Sequence, residues 1–289
     1  MRTSLGDKCF NVINTLLLSV IGLAALYPFV YVLSASLSSG DAVVSGKVLL
    51  LPVNINLEAY VKVLMQKSIW VAYANTLYYT VVGTLVSLLL TICGAYPLSK
   101  KRLKGKGVIN FLIALTMWFH AGMIPFYLNL RDMGMLNERF TIIIAFAVTT
   151  FYVFLLRTFF QSVPVELEEA AKIDGAGDYR ILWTVYLPLS RASLMTVGLF
   201  YAVTRWNGYF WAMIVLKDKD KIPLQVLLKK LIVENNLSEQ LVDFGSATLV
   251  SQETVIYATI IVSIIPMMIV YPLIQKYFAK GALVGSVKG

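Results

Sequence analysis

The chain has 289 residues, of which 58% are hydrophobic and only 14% charged, with a mean hydropathy of +0.74. Soluble globular proteins carry about 25% charged residues, so the composition excludes the ordinary soluble classes and points to a bilayer. Two cysteines make no disulfide framework, one histidine makes no metal-ligand cluster, and a net charge of +9 concentrated between apolar runs reads as membrane topology rather than a nucleic-acid-binding face.

Arg2 and Lys8 precede the first apolar run, and Ser34-Ala35-Ser36 resembles a small-residue cleavage site. The run is much longer than the roughly 7–15 residues of a signal-peptide core, so an uncleaved signal anchor is expected. It forms the first of six spans, at about residues 12–37, 70–98, 108–130, 140–160, 193–216 and 254–277. Each matches or nearly matches the roughly 17–25 residues that cross a bilayer as a helix. No Asp or Glu lies inside any of them, and Arg205 alone interrupts the fifth. Between the second and third spans, Ser99–Gly107 holds five basic residues and no acid. Short loops rich in Lys and Arg stay inside, so this loop is cytoplasmic and six spans leave both termini there too. Arg131–Arg139 balances two positive against two negative charges, as the opposite face should. The outer segments 38–68 and 217–253 are long enough for small surface helices, with turns at Pro52 and Pro223. Pro28, Pro97, Pro125, Pro266 and Pro272 are expected to kink or end helices. The expectation is an all-α integral membrane protein with one transmembrane domain over residues 1–289.

The long inner loop, about residues 161–191, is the charged island of the chain. Pro164 suits a first helical turn, and Glu166, Glu168 and Glu169 follow at the positive end of the helix dipole. This predicts a helix to about Ile173, with Leu167, Ala170, Ala171 and Asp174 on a narrow face of small and apolar groups. Asp174-Gly175-Ala176-Gly177 breaks it, and Asp178 is expected to cap a second helix running to about Tyr186, which Pro188 ends. The product is a helix-turn-helix elbow; its small residues let another surface come close.

Glu169-Ala170-Ala171, then Gly175, Val185 and Leu187-Pro188 at their particular spacing resemble the EAA signature of ABC importer permeases, with valine where isoleucine is usual. Trp206-Asn207 through Trp211, Pro223-Leu224-Gln225, Phe119 to Pro125 with Leu136-Asn137, and the ending Gly285–Gly289 are similar to the carbohydrate-uptake branch related to the maltose permeases, most of all those for aldouronate- or alginate-type oligosaccharides. Arg191-Ala192 departs from the family's usual Lys-Pro.

The resemblance implies the type I ABC importer permease fold with a cytoplasmic coupling helix, in a bacterial inner membrane. It implies a second permease subunit of different sequence, a dimer of ATPase subunits that bind ATP and Mg, and an extracytoplasmic solute-binding protein delivering an oligosaccharide, acidic if of the alginate type. Glu169, Ala170, Ala171, Asp174, Gly175, Leu187 and Pro188 would then form the ATPase-docking surface. The C-terminal tail would reach the same interface.

No catalytic chemistry is expected on this chain. Gly40 to Lys47 misses the P-loop spacing, Arg180 stands where a dinucleotide fingerprint needs its third glycine, and no buried acid is foreseen. An intramembrane enzyme would lack a nucleophile with a base, and a self-sufficient channel or ion-coupled transporter would be expected to bury acids in its spans. Arg205 and His120 are the ionisable groups at mid-span, and Tyr201, Trp206, Asn207 and Tyr209 supply aromatic faces and amides suited to sugar. These six residues are the candidate substrate pathway, with packing between helices as the competing use. Arg157, ending the fourth span, is expected to anchor in head groups.

Overall fold

The computed structural model describes residues 5–233 and 251–286. Among these the regular structure is helical throughout: α1 (Leu5–Ser36), α2 (Gly40–Val44), α3 (Glu58–Met65), α4 (Lys67–Ser99), α5 (Lys106–Trp118), α6 (Met123–Asp132), α7 (Arg139–Ile144), α8 (Thr150–Gln161), α9 (Val165–Ile173), α10 (Asp178–Ile181), α11 (Leu187–Leu189), α12 (Arg191–Asn207), α13 (Phe210–Val215), α14 (Leu224–Val233) and α15 (Gln252–Ser286), with a π-helical turn at Leu182–Tyr186. The described residues divide into two compact units, one containing the chain up to Trp70 together with Leu228–Ile265, the other Val71–Leu227 together with the segment from Pro266 onward.

In the first unit α1 turns a nearly continuous apolar surface outward, Leu16, Leu17 and Leu23 among it, as a helix in lipid can. Its last turn is different. Ser34, Ala35 and Ser36 are buried, the Ser34 hydroxyl donates to the Leu50 carbonyl at 2.7 Å, and Ser36 Oγ meets the Tyr60 hydroxyl at 2.7 Å. Ala35 packs with Ala42, Val43 and Val48 against Tyr31 and Tyr257. The small residues that mimic a cleavage site are thus a close-packing seam. The outer segment 38–68 carries α2 and α3 as expected; of 217–253, α14 is seen and residues 234–250 lie outside the described part.

Three helices among the described residues are long and apolar enough to cross a membrane, within α1, α4 and α15, or four if α5 and α6, which meet at 110°, count as one span. The expected third, fourth and fifth spans are therefore not continuous helices. The third breaks at residues 119–122, where Gly122 takes φ +84° and Pro125 begins the next helix with no need of its missing N–H. His120 sits in this break, exposed, rather than at the centre of a span. The fourth breaks between Ile144 and Thr150, and the fifth at Gly208-Tyr209. Such breaks free backbone groups that apolar surroundings cannot satisfy, so side chains from elsewhere must do so.

In the second unit the segment after α13 is stitched down. Asn75 donates to the carbonyls of Asp220 and Ile222 at 2.8 and 3.1 Å, Tyr79 to that of Lys221 at 2.7 Å, and Thr76 Oγ1 accepts from the Leu224 N–H at 2.8 Å. Asn137, at φ +62°, accepts from the Lys217 and Asp218 N–H groups, both at 3.0 Å. Leu136-Asn137 and the segment around Pro223-Leu224 carry family resemblance in sequence; here each holds a chain reversal in place.

Candidate functional site

The elbow is a helix-turn-helix as the residue pattern predicts, but Gly177, not Asp178, caps α10, and Pro164 precedes α9 rather than opening it. At the other end Gly175 adopts φ +78°. The Ala176 N–H reaches the Ala171 carbonyl at 2.9 Å and the Gly175 N–H that of Lys172 at 3.0 Å, a Schellman closure whose apolar pair, Ala171 and Ala176, packs inward. A Cβ at residue 175 would strain this backbone. After α10 the helix widens into the π turn, and the Leu187 N–H bonds to Leu182 O, five residues back. Pro188 has no N–H to give Thr184 O, and its ring would crowd that carbonyl in an α-helix, so the wider turn accommodates it. Pro188 therefore bends the second helix but does not end it at Tyr186; α11 follows directly.

Glu169, Ala170, Asp174, Gly175 and Pro188 are exposed, while Ala171 and Leu187 are half-buried against a cluster of Tyr96, Phe160, Ile181 and Tyr186. Of the expected face of α9, Leu167, Ala170 and Asp174 face solvent and Ala171 turns inward, while Ile173, at 86% exposure, joins the outward side.

Among the described residues the buried acid is Glu168, at 6% exposure, against the expectation of none. Its Oε2 accepts from Lys100 Nζ and from the Tyr186 hydroxyl, and its Oε1 from Lys172 Nζ, all at 2.6 Å. Lys100 Nζ lies over the rings of Tyr96 and Tyr186, 4.1 and 3.7 Å from their centroids. Burial by itself would raise the Glu168 pKa; the hydrogen bonds from Lys100, Lys172 and Tyr186 outweigh it and hold the carboxyl at about 2. Burial lowers the Lys100 pKa, partly offset by the same carboxylate. Two residues on, Arg102 pairs with Asp178 at the start of α10, and the Tyr96 hydroxyl donates to the Asp178 carbonyl at 3.1 Å. Basic residues that read as a topology signal are therefore also the elbow's attachment. The i,i+4 spacing of Glu168 and Lys172 is the part of this cluster visible in sequence.

The pathway candidates separate into two groups. Arg205 lies near the end of α12, and its guanidinium fills the gap after α7: Nη1 donates to Ile142 O at 2.9 Å, and Nη2 to Ile143 O at 3.0 Å, Phe146 O at 3.2 Å and Ser87 Oγ at 2.8 Å. The Tyr201 hydroxyl accepts from the Thr149 N–H at 3.1 Å and meets Thr91 Oγ1 at 2.7 Å. Together they satisfy the backbone of the broken fourth segment. The side chain crosses Gly83 so closely that a Cβ there would stand 2.5 Å from Nη1, a requirement for glycine that the sequence does not announce. Trp206 is buried edge-on to Tyr73. Asn207 and Tyr209 remain exposed beside a cleft of about 410 Å³ that Ile142, Phe146, Arg205 and Trp211 also line. Arg157, expected at head groups, instead donates to Asn110 Oδ1 at 2.8 Å and lies over the Phe154 ring, tying α8 to α5. No group of His, Cys, Asp and Glu able to hold a metal occurs among the described residues.

Residues 4–284 match the family model described as the binding-protein-dependent transport system inner membrane component. The chain is 39% identical over 98% of its length to the polygalacturonan/rhamnogalacturonan transport system permease protein YtcP of Bacillus subtilis, of which the match covers 99%, and 34% identical over its full length to Protein LplC of the same organism, of which 98% is covered. The fold superposes with a TM-score of 0.92, at 51% identity and covering 96% of this chain and 99% of the other, on a solved bacterial ABC transporter involved in the import of the acidic polysaccharide alginate. With an all-helical fold, a rigid exposed elbow carrying the EAA pattern and a family match over nearly its whole length, the chain belongs to the inner membrane permease components of binding-protein-dependent ABC transport systems.

Proposed function

We propose that this chain forms half of the translocation pathway of an ATP-driven importer of acidic oligosaccharides, with six membrane passes and both termini on the cytoplasmic face. A second permease chain forms the other half, an extracytoplasmic solute-binding protein delivers the cargo, and a pair of ATPase subunits, holding ATP and Mg, seats on the elbow. The observation that carries this is α9: its exposed face of Leu167, Ala170, Ile173 and Asp174, with Glu169 beside it, is small and apolar with an acidic edge, while its back is pinned by Glu168. A helix pinned in this way transmits a rigid-body push that a slack loop would absorb. Glu169 pairs with a basic group of the ATPase, Ala170 permits close approach, Ala171 packs behind the bend that Gly175 sets, and Leu187 and Pro188 hold the second arm.

For the cargo, the support is the pair of relatives named for polygalacturonan/rhamnogalacturonan and for alginate. Asn207 and Tyr209, with Thr149 and Thr204, line the cleft and are exposed; Arg205 and Tyr201 line it as well, His120 lies exposed in the break after α5, and Trp206 is buried outside the cleft lining.

The test is purification and reconstitution of the complex. ATPase subunits are expected to co-purify with the chain, and Glu169→Lys is expected to uncouple hydrolysis from transport with membrane insertion intact. Normal transport by that variant with no associated ATPase would refute the proposal. A solute-binding protein that takes neutral oligosaccharides and ignores uronate oligomers would refute the acidic cargo.

A further inference from the structure

Lys100 stands one residue beyond α4, and Tyr96 sits in that helix's last turn. Lys100 binds the Glu168 carboxylate of α9 with its ammonium over the Tyr96 ring, and Tyr186 of the π turn donates to the same carboxylate. A parallel tie, Arg102 to Asp178, fastens the second arm of the elbow to the same short stretch. The two pairs differ in kind. Arg102 and Asp178 are half-exposed, at 54% and 53%, where an ion pair contributes about 0–1 kcal/mol, whereas Lys100 and Glu168 are at 8% and 7%. Separating the pair leaves the buried Lys100 ammonium without its carboxylate and takes one of three donors from Glu168, so it stays closed under load. The links on either side of α9, residues 162–164 and 174–177, are short and non-helical and would otherwise let the helix pivot.

We propose that Lys100 and Glu168 are positioning residues that make α9 and the end of α4 one rigid body, so that displacement of the elbow's exposed face drives α4 directly. The inference rests on the reading of α9 as the ATPase-docking helix and adds the route by which the stroke leaves it. Lys100 acts through Glu168 and is not itself a docking residue.

The experiment uses the assembled importer in nanodiscs, in a Cys9→Ser background. Spin labels are placed on Cys93 in α4, which is exposed, and on Val165→Cys at the start of α9, half-exposed and away from the docking face. The distance between them is measured by pulsed electron resonance with no nucleotide and after trapping with ATP and vanadate. The unsubstituted pair is expected to give one narrow distance, the same in both states. In Lys100→Met and Glu168→Gln the distribution broadens and shifts on trapping, with the ATPase subunits still bound; Lys100→Arg keeps the narrow distance. Glu169→Lys does the reverse, weakening ATPase association while leaving the distance narrow. A distance that changes on trapping in the unsubstituted complex, a narrow invariant distance in Lys100→Met, or loss of the ATPase subunits from Lys100→Met as from Glu169→Lys would each overturn the proposal. Failure of the docking reading is separate: no ATPase subunit would then co-purify with the unsubstituted chain.

Discussion

Substituting Gly83 by alanine tests how tightly Arg205 is held. The new Cβ would lie 2.5 Å from Nη1, 2.6 Å from Cζ and 2.7 Å from Cδ of Arg205. Rotating the guanidinium alone does not relieve the contact at Cδ, so the whole side chain must shift and its fit to Ile142 O, Ile143 O, Phe146 O and Ser87 Oγ is lost. If two of the four bonds break, at about 1.5–3 kcal/mol for a hydrogen bond to a charged group, the cost is about 3–6 kcal/mol. Set against it is the gain from replacing glycine within a helix, about 1 kcal/mol. The net expectation is a loss of about 2–5 kcal/mol. In an Arg205→Ala background the space is vacant, and the same substitution should be neutral or mildly stabilising. The assay is a double-mutant cycle on the purified protein in mixed micelles, unfolded by titration with a denaturing detergent and followed by circular dichroism and tryptophan fluorescence. The gain from replacing glycine is common to both backgrounds and cancels, so an interaction energy of about 3–6 kcal/mol is expected. Additivity of the two substitutions within about 0.5 kcal/mol would refute the assignment of Arg205 as the plug of the α7 break.

Asn137→Ala should destabilise by about 1–3 kcal/mol in the same titration, since it leaves the Lys217 and Asp218 N–H groups without their acceptor and puts a less tolerant residue at φ +62°. Asn137→Gly should recover the backbone part of that loss but not the hydrogen bonds. The Glu168 carboxyl has its pKa lowered from 4.5 to about 2, so its contribution to the elbow is complete above about pH 4.5 and is lost as pH falls toward 2. Hydrogen exchange of the elbow amides, corrected for the intrinsic pH dependence of exchange, should show the elbow unchanged from pH 8 to 5 and opening only below about pH 4.5. An opening near neutral pH would contradict the cluster geometry.

Much of this protein is legible without coordinates because lipid imposes so simple a rule. Apolar runs free of acids have one use, and the EAA spacing, the Gly175 bend and the breaking effect of Asp174–Gly177 follow from local backbone preferences that need no partner. What the pattern could not reveal is where those runs stop being helices. Hydropathy counts apolar residues and is indifferent to whether the chain through residues 145–149 is helical. That break exists because a guanidinium and a phenol from α12 satisfy the carbonyls and the N–H it exposes. The same limit hid Glu168. In sequence it is one acid among three at a helix start, and its burial depends on Lys100, 68 residues away, and on Tyr186, brought alongside by the fold. By itself the sequence determined the membrane class, the family and the elbow, because composition and local turn chemistry decide them. Only the tertiary structure decided which charged side chains face outward and which seal the interior, because a buried charge is settled by partners distant in the chain.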